Sequence, residues 1–93
     1  MLNLSLLFPI YLFANRDRVS IVVDILDTLQ NKREGKRKTN IMQSANLSTG
    51  QVSKYLELLY INGFIKKDGD IYHVTRRGVE FLEIFERLNL NLK

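Results

Sequence analysis

The stretch Ser48-Thr-Gly-Gln-Val-Ser-Lys-Tyr-Leu-Glu-Leu-Leu-Tyr-Ile-Asn-Gly63, continued by Phe64-Ile-Lys-Lys-Asp-Gly-Asp-Ile-Tyr-His-Val-Thr75, decides the fold. Ser48 is a favoured N-cap, and Gln51 three residues on completes a Ser-x-x-Gln capping box. Leu47 and Val52 occupy the two positions of a hydrophobic staple, and Gly63 supplies a left-handed stop. Val52, Leu56 and Leu59 recur at core spacing, which leaves Thr49, Gly50, Ser53, Lys54 and Glu57 outward. A shorter helix opens just upstream at Thr39, with Ile41, Met42 and Ala45 apolar and Asn46 at the turn. Two short helices across so tight a turn form a helix-turn-helix, the motif whose second helix enters a major groove.

Downstream, Asp68-Gly69 predicts a two-residue type I′ hairpin. That turn pairs Lys67 with Asp70, Lys66 with Ile71 and Ile65 with Tyr72, and it sets Ile65, Tyr72 and Val74 on one core-facing side. Lys66 and Lys67 then stand at the tip of a wing, placed to meet a DNA backbone. Lysines on a surface hairpin also serve solubility and block edge pairing. The helix pair just before them favours the DNA role.

Upstream, Lys32, Arg33, Lys36, Arg37 and Lys38 crowd a connection interrupted only by Glu34 and Gly35. An isolated run of this kind is usually a solvated loop. Here it leads into the helix that lies across the phosphates, so Lys36, Arg37, Lys38 and the helix-opening Thr39 are candidate backbone contacts. Arg16, Arg18, Arg76 and Arg77 open the first and last helices, where pairing with Asp17, Glu80 or Glu83 explains them equally well. On the second motif helix, Gln51 has the chemistry to read adenine, but its side chain is expected in the cap. Thr49, Ser53 and Lys54 remain, and they form few bidentate base contacts. Gly50 either lets the backbone approach a phosphate or is simply tolerated.

The rest of the chain scaffolds this core. With 93 residues it makes one small domain. Net charge is +4, from 14 Lys and Arg against 10 Asp and Glu, which favours polyanionic partners. The absence of cysteine excludes disulfides, thiolate metal sites and a Cys nucleophile. Residues 16 to 31 read as an amphipathic helix on Val19, Val22, Val23, Leu26 and Leu29. Thr75 caps a last helix to about residue 90, where Phe81, Phe85, Leu88 and Leu92 form a stripe flanked by Leu82 and Ile84. A stripe of that width packs on two bodies, its own domain and, by expectation, the same helix of a second subunit.

Residues 1–14 hold 11 apolar residues and no side-chain charge. As a helix they would reach only about 21 Å, short of the roughly 30 Å of bilayer hydrocarbon, and Pro9 would break them. They also lack a basic signal-peptide start. An oligomerisation arm is the favoured reading, over shallow membrane attachment or an extension without function from an early start codon. Enzyme chemistry finds no motif: His73 is the lone histidine, on a strand, and the Asp24/Asp27 and Glu80/Glu83/Glu86 spacings suit solvation or salt bridges. No phosphate-binding loop, metal motif or nucleophile elbow is present, so no cofactor and no small-molecule substrate are expected.

With these residues in place, Arg16 to Leu92 resembles the small archaeal ten-kilodalton winged-helix DNA-binding proteins of the 10a type, over about four-fifths of the chain. The likeness rests on a long first helix, a basic connection and the run KYLELLYINGFIKKDGDIYHVTRRGVEFLE. It implies an elongated homodimer joined through antiparallel C-terminal helices and binding duplex DNA with little sequence preference. By position, Thr49, Ser53 and Lys54 match the recognition helix, and Lys66 and Lys67 the wing. The apolar arm and the short last helix depart from that pattern. The expected fold is α+β, mainly α: an arm over 1–14, a winged helix-turn-helix over 15–75, and a dimerisation helix over 76–93. The expected role is an architectural, nucleoid-associated cytoplasmic protein on double-stranded DNA. A sequence-specific transcription regulator is the first alternative, and a winged helix used for protein or membrane-surface contact the second.

Overall fold

The computed structural model describes residues 16–92, with side chains described from 18 to 88. The element order is α1 (Arg16–Gln30), β1 (Lys36–Arg37), α2 (Lys38–Ser44), α3 (Thr49–Ile61), β2 (Ile65–Asp68), β3 (Ile71–Val74) and α4 (Arg76–Leu92). The strands form one antiparallel sheet in the order β1-β3-β2. The expected apolar arm over 1–14 lies outside the described residues. Among those that are described, no helix is long and apolar enough to cross a membrane.

Both motif helices are stopped by backbone chemistry. Past α2, Asn46 sits at φ 55°, and its N–H and that of Leu47 donate to the carbonyls of Gln43 and Met42. Past α3, Gly63 sits at φ 78°, and its N–H and that of Phe64 donate to Tyr60 and Leu59. Each is a Schellman motif, which satisfies the carbonyls of Met42 and Gln43 in α2 and of Leu59 and Tyr60 in α3. Phe64 then turns inward to pack on Phe81, with ring centroids 5.2 Å apart. The Thr75 hydroxyl accepts from the Gly78 N–H at the start of α4 and donates to the Gly63 carbonyl at 2.6 Å. One side chain thereby caps the last helix and ties it to the end of α3.

The core collects Val19, Val22, Ile25, Leu26 and Leu29 from α1, Ile41 from α2, Val52, Tyr55, Leu56 and Leu59 from α3, Phe64 and Ile65 from the wing, and Phe81 and Leu82 from α4. Val23, expected on the α1 stripe, packs at its edge, while Ile25 and Tyr55 enter it beyond the expected set. Phe81 and Leu82, expected among the dimerisation residues, are committed to the domain's own core.

Three expectations are corrected. The hairpin pairs Ile65 with Val74, Lys66 with His73, Lys67 with Tyr72 and Asp68 with Ile71, so the loop is Gly69-Asp70 rather than Asp68-Gly69. Only Gly69 of the two has positive φ, 63°, the signature of a type II′ turn with glycine at its first central position. The shift moves the pairing by two residues, which keeps Ile65, Tyr72 and Val74 on one face as expected. It also removes Lys66 and Lys67 from the tip. Finally, the basic connection is not all loop: Lys36 and Arg37 form β1 opposite Tyr72 and Ile71, and α2 opens at Lys38 instead of Thr39.

Candidate nucleic-acid interface

Helix α3 begins with the capping box read from its sequence. The Gln51 N–H donates to Ser48 Oγ at 3.1 Å, and the Ser48 N–H donates back to Gln51 Oε1 at 3.0 Å. Gln51, a candidate base contact, therefore has its carbonyl oxygen engaged at home. Across the buried stripe, Gly50, Lys54, Glu57 and Ile61 are exposed and follow at i, i+4, i+7 and i+11, so they form the outward midline of the helix. Ile61 is 71% exposed, unusually open for its size. Lys54 holds its ammonium 5.7 Å from the Tyr55 ring centre. Thr49 is exposed, with its hydroxyl 3.6 Å from Met42 Sδ, and Ser53 is half-buried beside the wing.

The basic residues upstream separate into different roles. Lys36 turns its ammonium inward, donating to Thr28 Oγ1 at 2.6 Å and Ser44 Oγ at 3.0 Å. It bridges α1 and α2, which takes it away from the expected phosphate contact. Arg37 lies 3.8 Å from the Asp70 carboxylate, joining β1 to the wing turn. Lys32 pairs with Glu34 and Arg76 with Glu80, each at 3.6 Å. These exposed pairs contribute little to stability, but they offset charge locally. Arg77 covers the Phe64 ring at 5.0 Å.

Lys38 is different. Together with Ser53, Leu56, Glu57 and Tyr60 of α3 and Lys67 and Tyr72 of the wing, it lines an open cleft between α3 and the hairpin. A second depression beside it is lined by Arg37, Lys38, Thr39, Lys67, Asp70 and Tyr72. The hairpin register separates the two wing lysines. Lys67, opposite Tyr72, faces the cleft with its ammonium 5.5 Å from that ring, while Lys66, opposite His73, lies on the other face.

Arg37, Lys38, Thr39, Ser53 and Lys67 thus gather around one surface made by α3, the start of α2 and the wing, whereas Lys36 and Lys66 point elsewhere. Tyr60 and Tyr72 join that surface from outside the expected site residues. The only signal for Tyr60 was its place seven residues after Ser53, two turns along the same side of α3. Tyr72 was assigned to the core, and it does pack there, yet it also lines both depressions. Of the expected dimerisation residues, Ile84 is 53% and Leu88 42% exposed, and Phe85 is half-buried. The side chain of Leu92 lies outside the described residues. Among the described residues, no group of three or more His, Asp or Glu side chains is placed to hold a metal ion.

Two proteins of the archaeon Methanocaldococcus jannaschii are similar to this chain. "Uncharacterized protein MJ0287" is 35% identical over 79 residues, covering 80% of this chain and 78% of its own length. "Uncharacterized protein MJ0290" is 36% identical over 75 residues, covering 81% of this chain but only 35% of its own length. The chain therefore spans about a third of the longer relative. A family model described as winged helix-turn-helix matches residues 15–93. That match, over the same helix pair and three-stranded wing sheet, shows that the chain belongs to the winged helix-turn-helix family.

Proposed function

We propose that this protein binds double-stranded DNA with weak sequence preference, placing α3 in a major groove and the wing lysines along the backbone. The observation that carries this reading is the state of Gln51: its engagement in the capping box leaves the outward face of α3 without a free bidentate base reader. No arginine stands on that helix, and arginine to guanine is the commonest specific contact. Affinity then comes chiefly from neutralised phosphates, with Lys38, Thr39, Lys54, Lys66 and Lys67 as contributors. A protein of this kind suits an architectural role on chromosomal DNA, as the resemblance to the 10a-type proteins implies. The exposed Ile84 and Leu88, one turn apart on α4 beside the half-buried Phe85, support assembly into a homodimer.

A sequence-specific regulator is the second reading, favoured by Glu57 and Ile61 on the outward midline. A carboxylate can accept from the cytosine N4 amine, and an apolar side chain can touch the thymine methyl. Fluorescence anisotropy with unrelated duplexes of about 25 base pairs, titrated across salt, separates the two readings. Similar affinities with a steep salt slope support architectural binding. Affinity for one sequence far above the rest supports a regulator, and absence of binding at low salt overturns both.

A further inference from the structure

The two depressions on the interface meet at three residues, since Lys38, Lys67 and Tyr72 line both. They come from the start of α2 and from the two hairpin strands, which the fold brings together through the β2–β3 pairing and the packing of β1 on β3. Neither lysine has a carboxylate within ion-pair distance among the described residues, in contrast to Lys32, Arg37 and Arg76. Nor is either ammonium tethered as Lys36 is. The Lys67 ammonium is steadied over the Tyr72 ring, which holds a long flexible side chain near one place. Ser53 and Tyr60, both hydroxyl-bearing, line the same cleft, as does Glu57 from α3.

We propose that this junction is a seat for a single phosphodiester of duplex DNA, gripped between Lys38 on one side and Lys67 on the other. The inference rests on the DNA-binding reading and deepens it by assigning two side chains to one backbone phosphate. Two uncompensated ammonium groups lining one open cleft with neutral hydroxyl donors match a tetrahedral monoanion. Glu57 in the first depression and Asp70 in the second repel an anion, so the phosphate is held where both lysines reach it. Lys66, on the opposite face of the hairpin, serves a different phosphate.

Sharing a phosphate makes the two lysines coupled, and coupling is measurable. With a slope of about −0.9 per phosphate, losing one contact weakens binding about eightfold at 0.1 M salt. Lys38→Gln and Lys67→Gln should each lose less than about twofold, because the remaining lysine still holds the group, so that the double loss exceeds the product of the single ones. The double variant should lose about eightfold in total, with the slope reduced by about 0.9, instead of the roughly sixtyfold expected for two independent phosphates. Lys38→Gln combined with Lys66→Gln should instead multiply. Thermal unfolding of each variant confirms an intact fold. Losses for Lys38 and Lys67 that simply multiply would overturn the seat while leaving the DNA-binding reading in place, as would full affinity in the double variant alongside a loss in Lys54→Gln. Wild-type protein that binds no duplex at any salt would remove both.

Discussion

Two glycines in helices make a matched test of the packing described above, because helix propensity alone predicts the same sign for both. Gly50 lies in the first turn of α3, and a Cβ added there meets nothing within 4 Å. Gly50→Ala should therefore stabilise the fold by about 0.5–1 kcal/mol, through lower entropy of the unfolded chain and better helix propensity. Gly78 lies in the first turn of α4, where a Cβ would press on the Phe64 carbonyl oxygen and come within 2.7 Å of Val74 Cγ2. That carbonyl is not free to retreat: it accepts the Thr75 N–H at 3.0 Å, the Phe64 N–H is bound to Leu59, and the Phe64 ring is in the core. Overpacking of this kind costs about 1–3 kcal/mol, and weakening the Thr75 bond adds about 1, against a propensity gain near 1. Gly78→Ala should thus destabilise by about 1–3 kcal/mol. At roughly 4–8 °C per kcal/mol for a domain of this size, Tm should rise by about 2–8 °C for the first variant and fall by at least about 4 °C for the second. Far-UV circular dichroism melts of both proteins, at one concentration and salt, read the difference directly. A rise in Tm for Gly78→Ala would show that α4 does not approach the Phe64 backbone as described.

Ser48→Ala should cost about 1 kcal/mol by removing the α3 cap, and Ser48→Ala with Gln51→Ala should cost less than the sum; additive losses in urea melts would show the two halves of the box acting separately. Lys36→Met keeps the side-chain stem but loses the bonds to Thr28 and Ser44, so it should lower stability by about 1 kcal/mol and leave the salt slope of DNA binding in place. A slope reduced by about 0.9 would put Lys36 on a phosphate after all. If the proposed dimer forms through α4, Ile84→Glu with Leu88→Glu should convert it to a folded monomer in sedimentation equilibrium, and an unchanged mass would remove these residues from the interface. Phe81→Ala, by contrast, should cost about 3–5 kcal/mol of domain stability whatever the assembly state.

Local chemistry was legible in the sequence wherever it was self-contained. The capping box, the Gly63 stop and the Thr75 cap each depend on residues within a few positions of one another, and each is present. The core spacing of Val52, Leu56 and Leu59 was equally plain, because helical periodicity needs no partner to be recognised. The hairpin register was less so. Asp68-Gly69 and Gly69-Asp70 are both good two-residue turns and put the same side chains on the same face, so only cross-strand packing separates them. Strand β1 was invisible because two residues carry no period, and its identity comes from pairing with β3 far along the chain. The same distance hid the division among the basic residues. Nothing near Lys36 announces Thr28 and Ser44 as its partners, and nothing near Lys38 announces the cleft it shares with Lys67.

The paired left-handed stops at Asn46 and Gly63 have a bearing on how such a domain diverges. Between them, α3 is fixed in start, length and rotation by Ser48, by backbone hydrogen bonds and by its four buried residues. None of these positions is Gly50, Lys54, Glu57 or Ile61, the letters that face outward. Mutational drift can therefore rewrite the outward face without touching the frame that presents it. A lineage built on this scaffold is free to trade general binding for a particular target, or the reverse, through substitutions that folding does not oppose.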